Sequence, residues 1–163
     1  MSYYIIIRGP LGIGKTTIAK ELSKKIKAGY IAYDRIIDKY KLSKDKEEGY
    51  ISQKSFFKAN KLIIKKVKSL IKKKSMVLDG NFYWKSQIDD LVNNLKYPHY
   101  IFTLKAPLKV CIERDSKRKK TYGKDATTVV HKKSTSFDYG IQINTNNKTK
   151  EQVIDEILKK IKV

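Results

Sequence analysis

The stretch Gly9-Pro10-Leu11-Gly12-Ile13-Gly14-Lys15-Thr16 has the spacing G-x-x-x-x-G-K-[ST], which predicts a phosphate-binding loop. Glycine permits positive φ angles and lets backbone N–H groups approach an anion with no Cβ in the way. Those N–H groups and the N-terminus of the next helix form a concave anion site. We expect Lys15 to reach the β- and γ-phosphates of a nucleotide and the Thr16 hydroxyl to ligate Mg²⁺.

The sequence on either side of the loop predicts a strand before it and a helix after it. Residues 3–8 are a β-branched and aromatic run typical of a buried strand. Ile18, Leu22 and Ile26 repeat at helical spacing after the loop. Strand, loop and helix are the context in which this motif binds nucleotide. The residues expected to contact the nucleotide phosphates are Gly9, Gly12, Ile13, Gly14, Lys15, Thr16 and Thr17.

Further strands and helices alternate along the rest of the chain. Such alternation indicates βαβ units and a parallel sheet that helices cover on both faces. We therefore predict one α/β domain over residues 1–163, in three layers, with five parallel strands. A charged surface loop is predicted over residues 41–49 and a mobile segment with one helix over residues 122–137. The four strands predicted after the first are residues 29–33, 75–79, 97–104 and 139–143.

Carboxylates follow two of these strands, and ligands of open α/β sheets gather at the carboxyl ends of the strands. Asp79 ends an apolar strand, which suits a Walker-B residue that holds Mg²⁺ together with Thr16. Asp34 follows the second strand and is predicted to orient an acceptor hydroxyl and take its proton. A helix cap is the alternative role for Asp34, and both roles are compatible.

Arginine is scarce, with only four among the 37 lysines and arginines. Arg114 and Arg118 lie four residues apart, hence on one helix face, and are predicted to clamp the transferring phosphate or stack on a base. The alternative is a solvated helix end with an ion pair such as Arg118 with Asp115. Arg8 and Arg35 are both candidates to bind substrate, and Arg8 can instead be the buried partner of an acidic neighbour.

The charge balance is strongly basic, with 37 Lys and Arg against 16 Asp and Glu and a formal net charge of +21. A lysine-rich solvated surface and a polyanion partner such as nucleic acid both account for it. No run approaches the ~20 consecutive apolar residues of a membrane span, and the opening apolar run is too short for a secretory signal. With Cys111 as the single cysteine, these features predict a cytoplasmic globular protein.

With the loop, Asp34, Asp79 and the two arginines in place, the chain resembles the small P-loop kinases over nearly its whole length. Shikimate, adenylate, adenylylsulfate and polynucleotide 5′-kinases belong to this group, and the resemblance is greatest to uncharacterised kinase-like ATPases of the AAA family. Residues 78–80 are similar to the strand-end motif of adenylate kinases, although Asn81-Phe82-Tyr83 stands where that motif continues Phe-Pro-Arg.

The resemblance implies a P-loop NTPase fold with strand order 2-3-1-4-5 and a short lid over approximately residues 114–137. It also implies that residues 144–147 form the adenine-side loop, so that Asn144 and Asn146 contact the nucleotide. The leading hypothesis is an ATP- and Mg²⁺-dependent kinase that phosphorylates a hydroxyl, with a nucleic-acid end as one acceptor. The alternatives are a small-metabolite or nucleoside kinase and, in another class, a nucleic-acid-binding ATPase or switch that transfers no phosphate.

Overall fold

The computed structural model describes residues 1–162. Its strands are β1 (Tyr4–Arg8), β2 (Gly29–Ala32), β3 (Lys46–Glu47), β4 (Tyr50–Ile51), β5 (Met76–Gly80), β6 (His99–Lys105) and β7 (Ile141–Asn144). Its α-helices are α1 (Lys15–Lys25), α2 (Tyr33–Lys39), α3 (Gln53–Leu70), α4 (Lys85–Leu95), α5 (Leu108–Ser116), α6 (Lys124–Ser134) and α7 (Lys150–Lys160). No helix in this part of the chain is long and apolar enough to cross a membrane.

The central sheet has five parallel strands in the order β2-β5-β1-β6-β7. Counted along the chain among the strands of this sheet, the order is 2-3-1-4-5, and the predicted fold class is confirmed. The order places β1 in the middle, with β5 and β6 beside it. The carboxyl ends of these strands therefore meet next to the loop that follows β1.

Both faces of the sheet are covered because successive side chains of a strand point to opposite faces. Tyr4 and Ile6 of β1 lie in the core cluster shared with α2, α3 and α4. Ile5 and Ile7 lie in the second cluster, which α1, α5 and α7 complete. All five residues of β1 are buried, as expected for the central strand of a parallel sheet.

Side chains cap two of the helices at their N-termini, at sites where the sequence has residues typical of caps. The Ser52 hydroxyl caps α3 by accepting a hydrogen bond from the backbone N–H of Ser55 at 3.1 Å. Thr149 and Gln152 form a capping box at the start of α7. Each cap satisfies backbone N–H groups that a helix leaves without partners in its first turn.

Other predicted boundaries change. β2 ends at Ala32, so Asp34 lies in the first turn of α2 rather than at the end of a strand. Residues 41–49 are more ordered than a plain loop, since they hold a short 3₁₀ turn and one strand of the β3–β4 hairpin. The segment predicted as mobile contains α6, and the last strand begins at Ile141. α5 ends at Ser116, so Arg118 lies beyond the helix and does not share a helix face with Arg114 as predicted.

Arg8 is fully buried at the carboxyl end of β1. Its guanidinium donates to the carbonyl of Phe82 (3.2 Å), the hydroxyl of Thr103 (3.1 Å) and the carbonyl of Ser134 (2.8 Å). Its carbon Cζ lies 4.4 Å from the ring centre of Phe137. Burial lowers the pKa of Arg8 to about 10. No carboxylate in residues 1–162 lies within ion-pair distance of the Arg8 guanidinium. Asp138 is near enough to favour its charged form, but the direct partners are carbonyl groups, a hydroxyl and a ring.

We predict that Arg8→Met lowers the free energy of unfolding by about 3 kcal/mol, because two carbonyls and a hydroxyl lose their buried donor. Urea denaturation measures this change. Arg35→Met is the matched control, since Arg35 is exposed on α2 and its loss should change stability by less than about 0.5 kcal/mol. Equal stabilities of the two variants would contradict a structural role for Arg8.

Candidate active site

The phosphate-binding loop has the backbone conformation that its glycines permit. Gly12 has φ +78°, and a Cβ there would lie 2.4 Å from the carbonyl oxygen of Cys111. Gly14 has φ +94° and precedes the first residue of α1. The loop thus passes against α5 and then opens α1, whose first N–H groups lack helical partners and are free to bind an anion.

Lys15 lies at the base of this loop with only 7% of its surface exposed. Its ammonium is 3.4 Å from the carbonyl oxygen of Pro10. Burial lowers the pKa of Lys15, while the nearby carboxylates of Asp34 and Asp79 favour its charged form. No ion pair within residues 1–162 engages the Lys15 ammonium, which leaves it available for the phosphates.

Thr16 and Asp79 converge as the sequence predicted, with the Thr16 hydroxyl 3.4 Å from one Asp79 carboxylate oxygen. A hydroxyl and a carboxylate are hard oxygen donors of the kind that Mg²⁺ takes alongside nucleotide phosphates and water. Burial raises the pKa of Asp79, while hydrogen bonds from Tyr30 and Thr16 favour the ionised carboxylate. This donor set fits Mg²⁺.

Tyr30 is a site residue that the sequence analysis missed. Its hydroxyl donates a short hydrogen bond to the other carboxylate oxygen of Asp79. The two residues lie on adjacent strands, because β2 pairs with β5 and places Tyr30 opposite Val77. The alternating pattern of residues 29–33 marks a strand, but only the pairing of β2 with β5 shows which residue the Tyr30 hydroxyl faces.

Asp34 faces the loop from α2 and shares a cavity of about 330 Å³ with it. Burial raises the pKa of Asp34, although nearby Lys15 and the backbone N–H of Asn81 favour its ionised form. A carboxylate with a raised pKa is a better proton acceptor than an ordinary surface aspartate. The residues that line this cavity are Gly12, Gly14, Lys15, Thr16, Thr17, Asp34, Arg114, Arg118 and Tyr122.

The two predicted arginines differ in their contacts. Arg114 donates to the carbonyl of Ile13 (3.3 Å) and to the hydroxyl and carbonyl of Thr145 (both 3.0 Å), so it ties the loop to the segment after β7. Arg118 is half-exposed, and its guanidinium carbon lies 4.9 Å from the ring centre of Tyr122. Arg118 is therefore the arginine with more donors free for a transferring phosphoryl group.

Asp115 is a second residue whose importance the sequence did not reveal. It is buried, and its carboxylate accepts hydrogen bonds from the backbone N–H groups of Tyr122 and Gly123 at 3.0–3.2 Å. It also lies 4.0 Å from the Arg118 guanidinium, the ion pair raised as an alternative above. Asp115 thus fixes the start of α6, which lies within the predicted lid, and contacts Arg118.

A second cavity of about 270 Å³ adjoins the first and shares Gly14, Thr17 and Arg114 with it. Its position beside the loop suits the base and ribose of a nucleotide. Asn144 and Asn146, predicted to contact the nucleotide, are not among its lining residues; the Asn144 side chain instead accepts a hydrogen bond from the Asn146 N–H at 2.9 Å. The lining residues are Ile13, Gly14, Thr17, Ile18, Arg114, Thr145, Lys148, Lys150 and Val153.

Comparison with known structures places the fold among small kinases. A sugar kinase from Janibacter sp. HTCC2649 superposes with a TM-score of 0.81 at 16% identity, covering 98% of this chain and 94% of the other. A gluconokinase from Sinorhizobium meliloti 1021 superposes with a TM-score of 0.74 at 14% identity, covering 96% and 89%. In sequence, the chain is 30% identical to the "Putative adenylate kinase" of Methanocaldococcus jannaschii, over 97% of this chain and 85% of that protein.

The fold, the loop and these likenesses define the class: a nucleotide-binding phosphotransferase of the small P-loop kinase type. Within that class, the chain belongs to the family described as AAA domain, whose model matches residues 5–137. The match extends from β1 through the end of α6, so it includes the loop, both carboxylates and both arginines.

We predict that Tyr30→Phe weakens Mg²⁺ binding roughly tenfold, because Asp79 loses the partner that orients one of its oxygens. Calorimetric titration of ATP at several Mg²⁺ concentrations measures this directly. Tyr40→Phe, at an exposed tyrosine, is the control and should leave the Mg²⁺ requirement unchanged. The same requirement in both variants would show that the Tyr30 hydroxyl does not position Asp79.

We predict that Asp115→Asn lowers turnover by misplacing Arg118. If Asp115 acts through Arg118, the double variant with Arg118→Ala should be no slower than Arg118→Ala alone. Steady-state kcat at saturating ATP gives the comparison, with Glu113→Gln on the exposed side of α5 as the control. Fully additive losses would mean that the two residues act separately.

Proposed function

We propose that this protein transfers the γ-phosphoryl group of ATP to a hydroxyl of a small acceptor molecule. The observation that carries the proposal is that Asp34 lies in the same cavity as Lys15 and Thr16. A hydroxyl acceptor needs a group to orient it and take its proton, whereas a nucleotide switch needs no carboxylate there. The adjoining cavity between the loop and Thr145 provides room for the nucleoside part of ATP.

In the proposed reaction, the acceptor oxygen attacks the γ-phosphorus while its proton passes to the Asp34 carboxylate. The bond between the γ-phosphorus and the oxygen that bridges it to the β-phosphate breaks, and ADP leaves. Lys15 and Arg118 stabilise the charge on the phosphoryl oxygens. Mg²⁺, when held by Thr16 and Asp79, supplies further charge neutralisation on the nucleotide phosphates.

The β3–β4 hairpin and Trp84 contact α6 outside the catalytic cavity. The hairpin β3–β4 meets the lid helix α6, where the Tyr50 hydroxyl donates to the carbonyl of Val129 at 3.2 Å. Lys133 of α6 lies 3.5 Å from the ring centre of Trp84 and 3.6 Å from the Glu48 carboxylate. None of these residues lines the cavity that holds Asp34, so the case for a small acceptor depends on that cavity's volume of about 330 Å³.

The nucleic-acid end considered in the sequence analysis receives less support from the site. The aromatic residues near the site that could stack on a terminal base, Tyr33, Phe82 and Tyr83, are buried in the core. Tyr33 donates to the carbonyl of Phe56 and the side chain of Asn60, so its hydroxyl has partners inside the protein. No residue of α3, which carries many of the lysines, lines the cavity.

AMP is a second candidate acceptor, because the relative that is 30% identical is described as an adenylate kinase. The acceptor atom of AMP is an anionic phosphate oxygen, which needs no general base, so a catalytic Asp34 argues for the hydroxyl instead. Removal of the Asp34 carboxylate should therefore slow transfer to a hydroxyl much more than transfer to AMP.

The experiment is incubation with γ-labelled ATP and separate acceptors, followed by separation of labelled products. The panel contains sugars and sugar acids including gluconate, nucleosides, AMP and an oligonucleotide with a 5′-hydroxyl end. Label on a small-molecule hydroxyl supports the proposal. Label on AMP alone or on the oligonucleotide alone overturns it in favour of that acceptor, and label found only in free phosphate identifies an ATPase.

We predict that Asp34→Asn lowers kcat for transfer at least a hundredfold and leaves ATP affinity nearly unchanged. In the wild type, kcat should fall as pH drops through the raised pKa of Asp34, which lies above the ordinary value of 3.8. Asp38→Asn, exposed one turn further along α2, is the control. If kcat falls at low pH in Asp34→Asn just as it does in the wild type, the fall is due to the protonation of another group.

The same substitution should stabilise the fold at neutral pH. A carboxyl whose pKa is higher in the folded than in the unfolded protein opposes folding above that pKa and has no effect once protonated in both states. Thermal unfolding at neutral pH should therefore give a higher Tm for Asp34→Asn than for wild type, and the difference should vanish in acid. A lower Tm would contradict the direction of the shift.

A further inference from the structure

The exposed side of α3 carries a continuous row of positive charge. Between Glu48 and Asp79 the chain has nine lysines and no acidic residue, and all nine lysines are exposed. No ion pair within residues 1–162 engages any of them. We call six of them the lysine row: Lys54, Lys58, Lys61, Lys65 and Lys68 lie along one side of α3, and Lys72 follows two residues after the helix ends.

The spacing of the lysine row follows the helix. Steps of four and three residues alternate from Lys54 to Lys68 and average 3.5, close to the 3.6 residues of one α-helical turn. One charge therefore recurs about every 5.4 Å over the roughly 21 Å of helix from Lys54 to Lys68. A linear polyanion can lie along such a row and meet one positive charge at each turn.

An aromatic side chain stands next to this row. Phe57 is 37% exposed and borders a groove of about 320 Å³ between α3 and α4. Lys61, Ile64 and Lys68 form the α3 wall, and Asp90 and Asn94 form the α4 wall. The Asp90 carboxylate already accepts hydrogen bonds from the Asn60 amide at 2.8 Å and the Asn94 amide at 3.2 Å, and it faces two lysines across the groove.

We propose that this surface binds single-stranded nucleic acid, with phosphates on the lysine row and a base stacked on Phe57 in the groove. Basic residues that track a backbone, with an aromatic ring beside them, are the common features of sequence-tolerant single-strand binding. A duplex offers its bases less readily, because they are stacked inside it. The apolar side chains Phe56, Ala59, Ile63 and Val67 of α3 are buried in the core, so the helix has no apolar stripe to insert into a membrane.

The proposed surface is separate from the active site. α3 starts near the carboxyl ends of the strands and finishes shortly before β5 begins, near their amino ends. The lysine row therefore leads away from Asp34. None of the residues that line the catalytic cavity belongs to α3. The bound strand is therefore a ligand of this surface and not the phosphoryl acceptor, and this inference does not depend on the proposed function.

The test is fluorescence anisotropy of a labelled single-stranded oligonucleotide of about 20 nucleotides over a series of salt concentrations. The test variant changes Lys58, Lys61, Lys65 and Lys68 to Gln. The control variant changes Lys24, Lys109, Lys159 and Lys160 to Gln, which removes the same charge from exposed positions on α1, α5 and α7. Thermal unfolding and ATP affinity confirm that both variants are folded.

Each single-strand phosphate contact contributes about −0.7 to the slope of log affinity against log salt. The test variant should therefore show a slope smaller in magnitude by roughly 3, whereas the control variant should keep the wild-type slope. Phe57→Ala should weaken oligonucleotide binding roughly tenfold with no change of slope, since it removes stacking and no charge.

Two results would overturn the proposal. Equal losses in the test and control variants would show attraction to overall charge rather than to this surface. The second result has two parts: Phe57→Ala binds the oligonucleotide as tightly as the wild type, and the test variant loses as much affinity for phosphatidylserine vesicles as for the oligonucleotide. Together these would show a general anion-binding face that does not recognise nucleic acid.

Discussion

The close contact between Gly12 and α5 is the constraint on which the rest of the site depends. A side chain at position 12 would meet the carbonyl oxygen of Cys111 at 2.4 Å, so only glycine lets the loop lie there. Because the loop rests on α5, Arg114 reaches the carbonyl of Ile13 from the next turn of that helix. Asp115, the following residue, then faces the beginning of α6. The contact between Gly12 and α5 thus sets the relative positions of the loop, the second cavity beside it and the start of α6.

The electrostatics of the site follow from burying three charged groups next to one another. Lys15 lies near both Asp34 and Asp79, and burial shifts the pKa of each of the three groups in the direction that favours its neutral form. Such a group of residues is less favourable for folding than a neutral one. It is suited to binding a highly charged nucleotide, because interactions between charges are stronger where water is excluded.

The sequence was most informative where a feature is encoded by neighbouring residues. The phosphate-binding loop, the Ser52 cap and the alternation of strands and helices are local patterns, and the predicted fold class was confirmed. Tyr30 and Asp79 are 49 residues apart, and Arg114 and Thr145 are 31 apart. Contacts of that kind depend on strand pairing and on the packing of a loop against a helix, which no local pattern specifies.

The aromatic residues illustrate a second limit of sequence analysis. A tyrosine or phenylalanine near the end of a strand can face a ligand or the core, and its identity does not decide between them. Tyr33 and Phe82 are buried because α2 begins directly after β2 and packs against the residues that follow β5. Phe57 is exposed because it lies one residue beyond the buried face of α3. Side-chain burial here follows from helix phase and from where each helix begins.

The helix α6 is attached to the body of the protein at both of its ends and in its middle. Asp115 binds the backbone just before its first turn, the Tyr50 hydroxyl binds the carbonyl of Val129 halfway along it, and Arg8 binds the carbonyl of Ser134 in its last turn. A segment held in this way cannot swing open like a flap hinged on one side. Any outward movement of α6 must first break at least one of these three attachments.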